Sequence, residues 1–147
     1  MLKHLRIAAV VALVVGVTVA LSTASFAQKT ALPKYDSKTE VHIAKATVLD
    51  TKEVTLSNGQ HRFRLIVNAG NETLEVCLCP KAFLDTMDTA FAKGDEVEIT
   101  GSKVKESEDK TIILAREVVK GQNTLVLRDK TGDPVWTWME KKTAEGK

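Results

Sequence analysis

Apolar and polar residues alternate through most of this chain, and the alternation gives way once, mid-chain, to a helical spacing. From Glu40, EVHIAKATVLDTKEVTL is rich in β-branched residues and alternates in part, predicting a long first strand that is bent or bulged. Ser57-Asn58-Gly59 supplies a hairpin turn. Gln60 to Asn68 then puts Phe63, Leu65 and Val67 on one face and Arg62 and Arg64 on the other, a half-buried second strand. After a turn at Ala69-Gly70-Asn71, Thr73 to Cys79 places Leu74, Val76 and Leu78 on one side. Thr73, Glu75, Cys77 and Cys79 fall on the opposite side.

Pro80 stands where a helix tolerates proline best. Phe83, Leu84, Met87, Ala90 and Phe91 follow at three- and four-residue spacings, predicting a short helix that runs to Lys93 and stops at Gly94. Asp95 to Val104 reads as a fourth strand with Val97 and Ile99 inward, and Gly101 marks a bend or bulge. Thr111 to Val119 is a fifth strand, apolar on both faces through its middle and so covered on both sides. Asn123 to Arg128 makes a short sixth strand, and DKTGDPVW closes the domain.

Five main strands, with the helix set between the third and fourth, match the strand plan of the OB-fold, a small Greek-key barrel. The expected class is all-β with one short helix, a five- to six-stranded barrel. An immunoglobulin-like sandwich would need about seven strands and no helix at that place.

The ends of the chain change the picture. MLKHLR followed by IAAVVALVVGVTVAL is a basic segment and an apolar run too short to span a bilayer. Ser25 and Ala27 then supply a small-residue cleavage site, so residues 1–27 read as a secretory signal peptide. Residues 28–39 are polar and aperiodic, a flexible lead-in. The barrel domain is expected over 40–138 and a charged, frayed tail over 139–147. Removal of the leader takes Lys3 and Arg6 and no acid, leaving 19 basic against 19 acidic residues. A neutral exported domain is a poor nucleic-acid binder, because phosphate contacts supply most of that affinity.

Several stretches carry a family resemblance. Val41-His42-Ile43, FAKGDEVEITGSKV at 91–104, ILAREVVKG at 113–121 and LVLRDKTGDPVW at 125–136 together resemble small exported bacterial OB-fold proteins, the periplasmic bacterial OB-fold group. The resemblance spans roughly residues 40 to 136 and implies an exported barrel with a binding or stress-associated role. It brings no catalytic residue. The Cys-x-Cys at the end of strand three departs from that pattern.

Cys77 and Cys79, two residues apart on a strand, point to one side with Cα atoms about 6.5–7 Å apart, at the edge of disulfide reach. Three readings stand: unpaired thiols packed under a neighbouring segment, a strained redox-active bridge, or soft ligands for zinc or copper. For the metal reading, His42 on the first strand is the better third ligand, since His61 keeps register with the apolar face. Arg62 and Arg64 read as an exposed polar strand face paired with Glu75, or as residues that contact an anionic ligand or lower a thiol pKa. Trp136 is suited to closing the barrel and Trp138 to an exposed binding edge. No nucleophile elbow, zincin helix or phosphate loop is present in the sequence.

The expectation is therefore a non-enzymatic binding or accessory module, periplasmic or secreted, with no cofactor and a protein or small-ligand partner. Nucleic acid is disfavoured as a partner, and no membrane attachment is expected once the leader is removed. One alternative is a thiol-dependent zinc, copper or redox protein using Cys77 and Cys79. Another is oligonucleotide or oligosaccharide binding on the face of strands two and three, which lacks the exposed stacking aromatics such sites use.

Overall fold

The computed structural model describes residues 32–140. The expected signal peptide, the first four lead-in residues and residues 141–147 lie outside the described residues. A single 3₁₀ turn, Ser37–Thr39, leads into β1 (Glu40–Thr55), β2 (His61–Ala69) and β3 (Glu72–Cys77). Helix α1 (Lys81–Thr86) follows, then β4 (Glu96–Ser107), β5 (Lys110–Lys120) and β6 (Asn123–Val126).

The sheet order is β3-β2-β1-β4-β5-β6, and a parallel pairing of β3 with β5 closes the first five strands into a barrel. Closure rests on Val76 opposite Ile113 and Cys77 opposite Leu114. This is the OB-fold strand plan, with β6 added on the free side of β5. β1 serves two neighbours, pairing with β4 through its first half and with β2 through its second. Register breaks between Ile43 and Ala46 and between Val48 and Asp50 give the bend that its length requires. Inside the barrel, Leu65, Val67, Leu74, Val76 and Ile99, the residues whose alternation pointed inward, interdigitate with Ile113.

The helix departs from expectation. It stops at Thr86, one turn and a half after it starts, rather than running to Lys93. Asp88 adopts a left-handed φ of 50°. Its N–H bonds the Asp85 carbonyl at 3.2 Å, while the Thr89 N–H reaches back to the Leu84 carbonyl at 3.0 Å. These reverse bonds terminate a helix, and here an aspartate fills the place glycine usually takes. Phe83 and Leu84 are buried from the helix, Phe91 is buried from the loop beyond it, and Met87 is left 49% exposed. A helical stripe in sequence thus became half helix and half loop.

The lead-in also differs from a free segment from Leu32 onward. Leu32 and Tyr35 pack on Cys77, Ile112 and Leu114, the outward apolar residues of β3 and β5. The Asp36 N–H donates to Ser102 Oγ at 3.1 Å, and that hydroxyl donates back to the Asp36 carbonyl at 2.7 Å. This is the cover that the two-sided apolar pattern of β5 requires. At the other end Met139 packs on the core and Glu140 is ion-paired, so ordered packing extends past Trp138.

Candidate functional site

Arg62 and Arg64 leave β2 on the side opposite Leu65 and Val67, but neither is exposed. Arg62 is 5% and Arg64 1% accessible, a correction to the exposed polar face that alternation suggested. Each guanidinium is buried by a different set of residues.

Arg64 is enclosed by carboxylates. Its Nη1 donates to Glu75 Oε1 at 2.9 Å, and its Nη2 lies 2.7 Å from Glu106 Oε2. The second contact is close but poorly aligned, an ion pair rather than a directed hydrogen bond. Lys52 and Lys110 reach Glu75 at 2.8 and 2.9 Å, completing a network of three cations and two anions. Burial alone would lower the Arg64 pKa, and the Glu106 and Glu75 carboxylates outweigh it, holding the group above its ordinary value. Burial likewise pushes Glu75 up, yet Lys52, Lys110 and Arg64 together bring it down to about 2. The pairing with Glu75 read from sequence is present.

Arg62 is covered by the chain that follows β6. That chain turns at Asp129, whose carboxylate accepts from the N–H groups of Thr131 and Asp133 at 2.9 and 3.0 Å. A bridge between Arg128 and Pro134 folds it back, and Trp136 becomes fully buried. The guanidinium carbons of Arg62 and Arg128 lie 5.4 and 5.2 Å from the Trp136 ring, and Phe83 packs at 6.1 Å. Glu140, on a helical turn over residues 137–140, accepts from Trp136 Nε1 at 3.1 Å and pairs with Arg62 Nη2 at 2.7 Å. Trp136 is thus part of the main core, and Trp138 is 56% exposed. Arg128 has its Nη1 on the Gly132 carbonyl at 3.1 Å, and burial pulls its pKa below the ordinary arginine value.

Cys77 sits directly across the ladder from Arg64. Both cysteines are free and fully buried, the first of the three arrangements the sequence left open. Burial raises the Cys77 thiol, with Arg64, Arg128 and Arg62 pulling the other way. Cys79 is pushed up to about 12 by burial and by its neighbour Cys77. These are protonated, packed thiols.

His42 is not brought to them. Its Nδ1 meets Thr100 Oγ1 at 3.0 Å and its Nε2 meets Glu98 Oε1 at 2.9 Å, both on β4, whereas β2 separates β1 from the cysteine strand. Among the described residues, no three His, Cys, Asp or Glu side chains are grouped to hold a metal. His61 lies on the β1–β2 hairpin beside Thr55 and Glu53.

Sequence reasoning missed Glu106, Arg128 and Glu140. Arg128 ends an apolar run before the Asp129 turn, and Glu106 and Glu140 sit in charged stretches that look like solvated surface. No local pattern separates a charge that will be buried from one that will not.

Two grooves flank this cluster's scaffold. One of about 750 Å³ runs between residues Met87–Phe91 and the β5–β6 turn. The other, about 630 Å³, lies between the β1–β2 turn and the start of α1, with Arg62 and Glu140 in its lining.

A protein-family model, described as the MamS/MamX magnetosome protein family, matches residues 40–125. No curated protein and no solved structure matches the chain. The matched span begins with β1 and ends inside β6, so it is the barrel itself. Tyr35, Arg128, Trp136 and Glu140 fall outside it. The match supports this family and not the periplasmic OB-fold group that the motifs resembled. The chain belongs to the MamS/MamX magnetosome protein family.

Proposed function

We propose that the protein is a non-enzymatic binding or accessory module of the magnetosome, exported behind a leader cleaved after Ala27. The observation that carries this is the family match over 40–125, because it covers the whole closed barrel rather than a fragment. The burial of the reactive groups supports it too: the thiols are protonated and enclosed, and Arg64 is neutralised by two carboxylates.

No observation favours the alternatives. A metal reading needs His42 near the cysteines, and His42 is engaged on β4. Oligonucleotide binding would use the outward side of β2 and β3, where this chain packs its own Trp136 and Tyr35.

The test is to isolate magnetosomes from cells producing the tagged full chain. The expected result is enrichment in that fraction with Gln28 as the new N-terminus. A chain that stays intact in the cytoplasmic fraction overturns the reading.

A further inference from the structure

We propose that the groove between the β1–β2 turn and the start of α1 is a carboxylate-binding site, built on Arg62, in which Glu140 holds the ligand's place. This deepens the binding-module reading by naming the chemistry its ligand offers.

Three observations point there. The groove, about 630 Å³, is lined by Asn58, Gln60, His61, Arg62, Lys81 and Glu140, among others. Arg62 is a buried cation in that lining, and its Nε has no hydrogen-bond partner among the described residues. Its Nη1 donates to the His61 carbonyl at 2.9 Å and its Nη2 to Gln60 Oε1 at 3.2 Å, which fixes the plane of the fork. A planar guanidinium held in this way suits the two oxygens of a carboxylate.

Second, a carboxylate already reaches it. Glu140 uses one oxygen, Oε1, for both Arg62 Nη2 and Trp136 Nε1, so it engages the guanidinium at a single nitrogen and leaves Nε unmet. Glu140 comes from the last described turn and from outside the span of the family match, so this occupant is an addition to the shared barrel.

Third, the rim adds a cation, Lys81, while the other acid there, Glu53, lies 3.6 Å from His61 Nδ1. The larger groove offers nothing comparable, since its Lys120 is taken by Asp95 at 2.9 Å and by the Ala90 carbonyl at 2.8 Å.

The ligand is thus a carboxylate, either a free dicarboxylate or the acidic side chains of a partner protein, that displaces Glu140. The test uses residues 28–147 carrying Trp138→Phe, so that Trp136 is the only indole, titrated with succinate and with an acetylated tetraglutamate peptide. Saturable change in indole emission is expected. Glu140→Gln should tighten binding by about tenfold or more, because the competing occupant is removed. Lys81→Ala, an exposed change, should weaken it, and added salt should do the same. Binding of the peptide alone assigns the site to a protein partner; binding of both assigns it to carboxylate as such. If neither probe binds the Glu140→Gln protein, or if binding is indifferent to both Glu140→Gln and Lys81→Ala, the proposal is overturned. Enrichment with magnetosomes would be unaffected by that failure, so the two readings fall separately.

Discussion

Gly101 on β4 lies against Leu114 on β5 so closely that a Cβ at position 101 would stand 2.4 Å from the Leu114 carbonyl oxygen. The register shifts at this point, Thr100 facing Glu117 and Gly101 facing Ala115, which leaves Arg116 as the extra residue of a bulge. The freed Arg116 carbonyl accepts from the N–H groups of Leu127 and Arg128, at 2.8 and 3.2 Å, and so guides the chain out of β6. Gly101→Ala is expected to cost about 1–3 kcal/mol, the range for overpacking that shifts backbone. Denaturant unfolding of the variant measures it, and an unchanged midpoint would mean the two strands separate more easily than their packing indicates.

Glu75 makes acid stability a test of the buried network. Its folded pKa is about 2, below the ordinary carboxylate value of 4.5, so the folded state holds fewer protons between those limits. Its contribution is complete above about pH 4.5 and is lost as the pH falls toward 2, amounting to at most about 3 kcal/mol. Unfolding free energy followed from pH 7 to 3 should decline, and Glu75→Gln should flatten that decline. Arg64→Ala should cost about 3–5 kcal/mol at neutral pH, since it removes the one fully buried cation of the network and leaves Glu106 and Glu75 to the partly exposed Lys52 and Lys110.

The two thiols should be silent in the native protein. With Cys79 raised from 9.0 to about 12, its thiolate fraction at neutral pH falls by about a thousandfold, and burial moves Cys77 in the same direction. A chromogenic disulfide reagent at pH 8 should report slow labelling in buffer and two rapid equivalents in denaturant. Two rapid equivalents in buffer would show that the cover over β3 opens readily.

Tyr35 reports on the docked lead-in, and it is the chain's one tyrosine. Burial and its hydrogen bond to Glu40 raise it to about 12, and Arg116 braces the same carboxylate through two contacts of 3.1 Å. Gly132, at φ 92°, backs the ring: a Cβ there would fall 2.5 Å from Tyr35 Cβ. Ultraviolet titration of the phenol should therefore find a midpoint near 12 rather than 10. Because the raised pKa favours the protonated, folded form, the associated stability is full below about pH 10 and is lost as the pH rises toward 12. A midpoint near 10 would mean that residues 32–39 do not stay on the barrel.

The barrel was legible because each strand records its own orientation. Leu65, Val67, Val76 and Ile99 alternate with polar neighbours, and turns such as Ser57-Asn58-Gly59 fix where strands reverse, so the inward side follows from spacing alone. The helix was half legible. Its apolar stripe runs to Phe91, but the left-handed turn at Asp88 replaces helix with loop while still delivering Phe91 to the core.

The site was less legible, for a related reason. Alternation says which side of a strand a residue takes, not what lies on that side. Arg62, Arg64 and Cys77 were correctly placed outward on β2 and β3, and their chemistry was then set by cover from elsewhere in the chain; Cys79, expected beside Cys77, lies past the end of β3 and packs in the main core instead. Tyr35 reaches the cysteine strand from before the barrel, and Trp136 and Glu140 reach Arg62 from after it. The strands, their inward faces and the barrel they form follow from residue order, because these depend on local period and turn chemistry. Burial of the arginines, protonation of the thiols and the separation of His42 from them arise in the folded chain. Desolvation and charge pairing arise from residues tens of positions away, and no local pattern carries them.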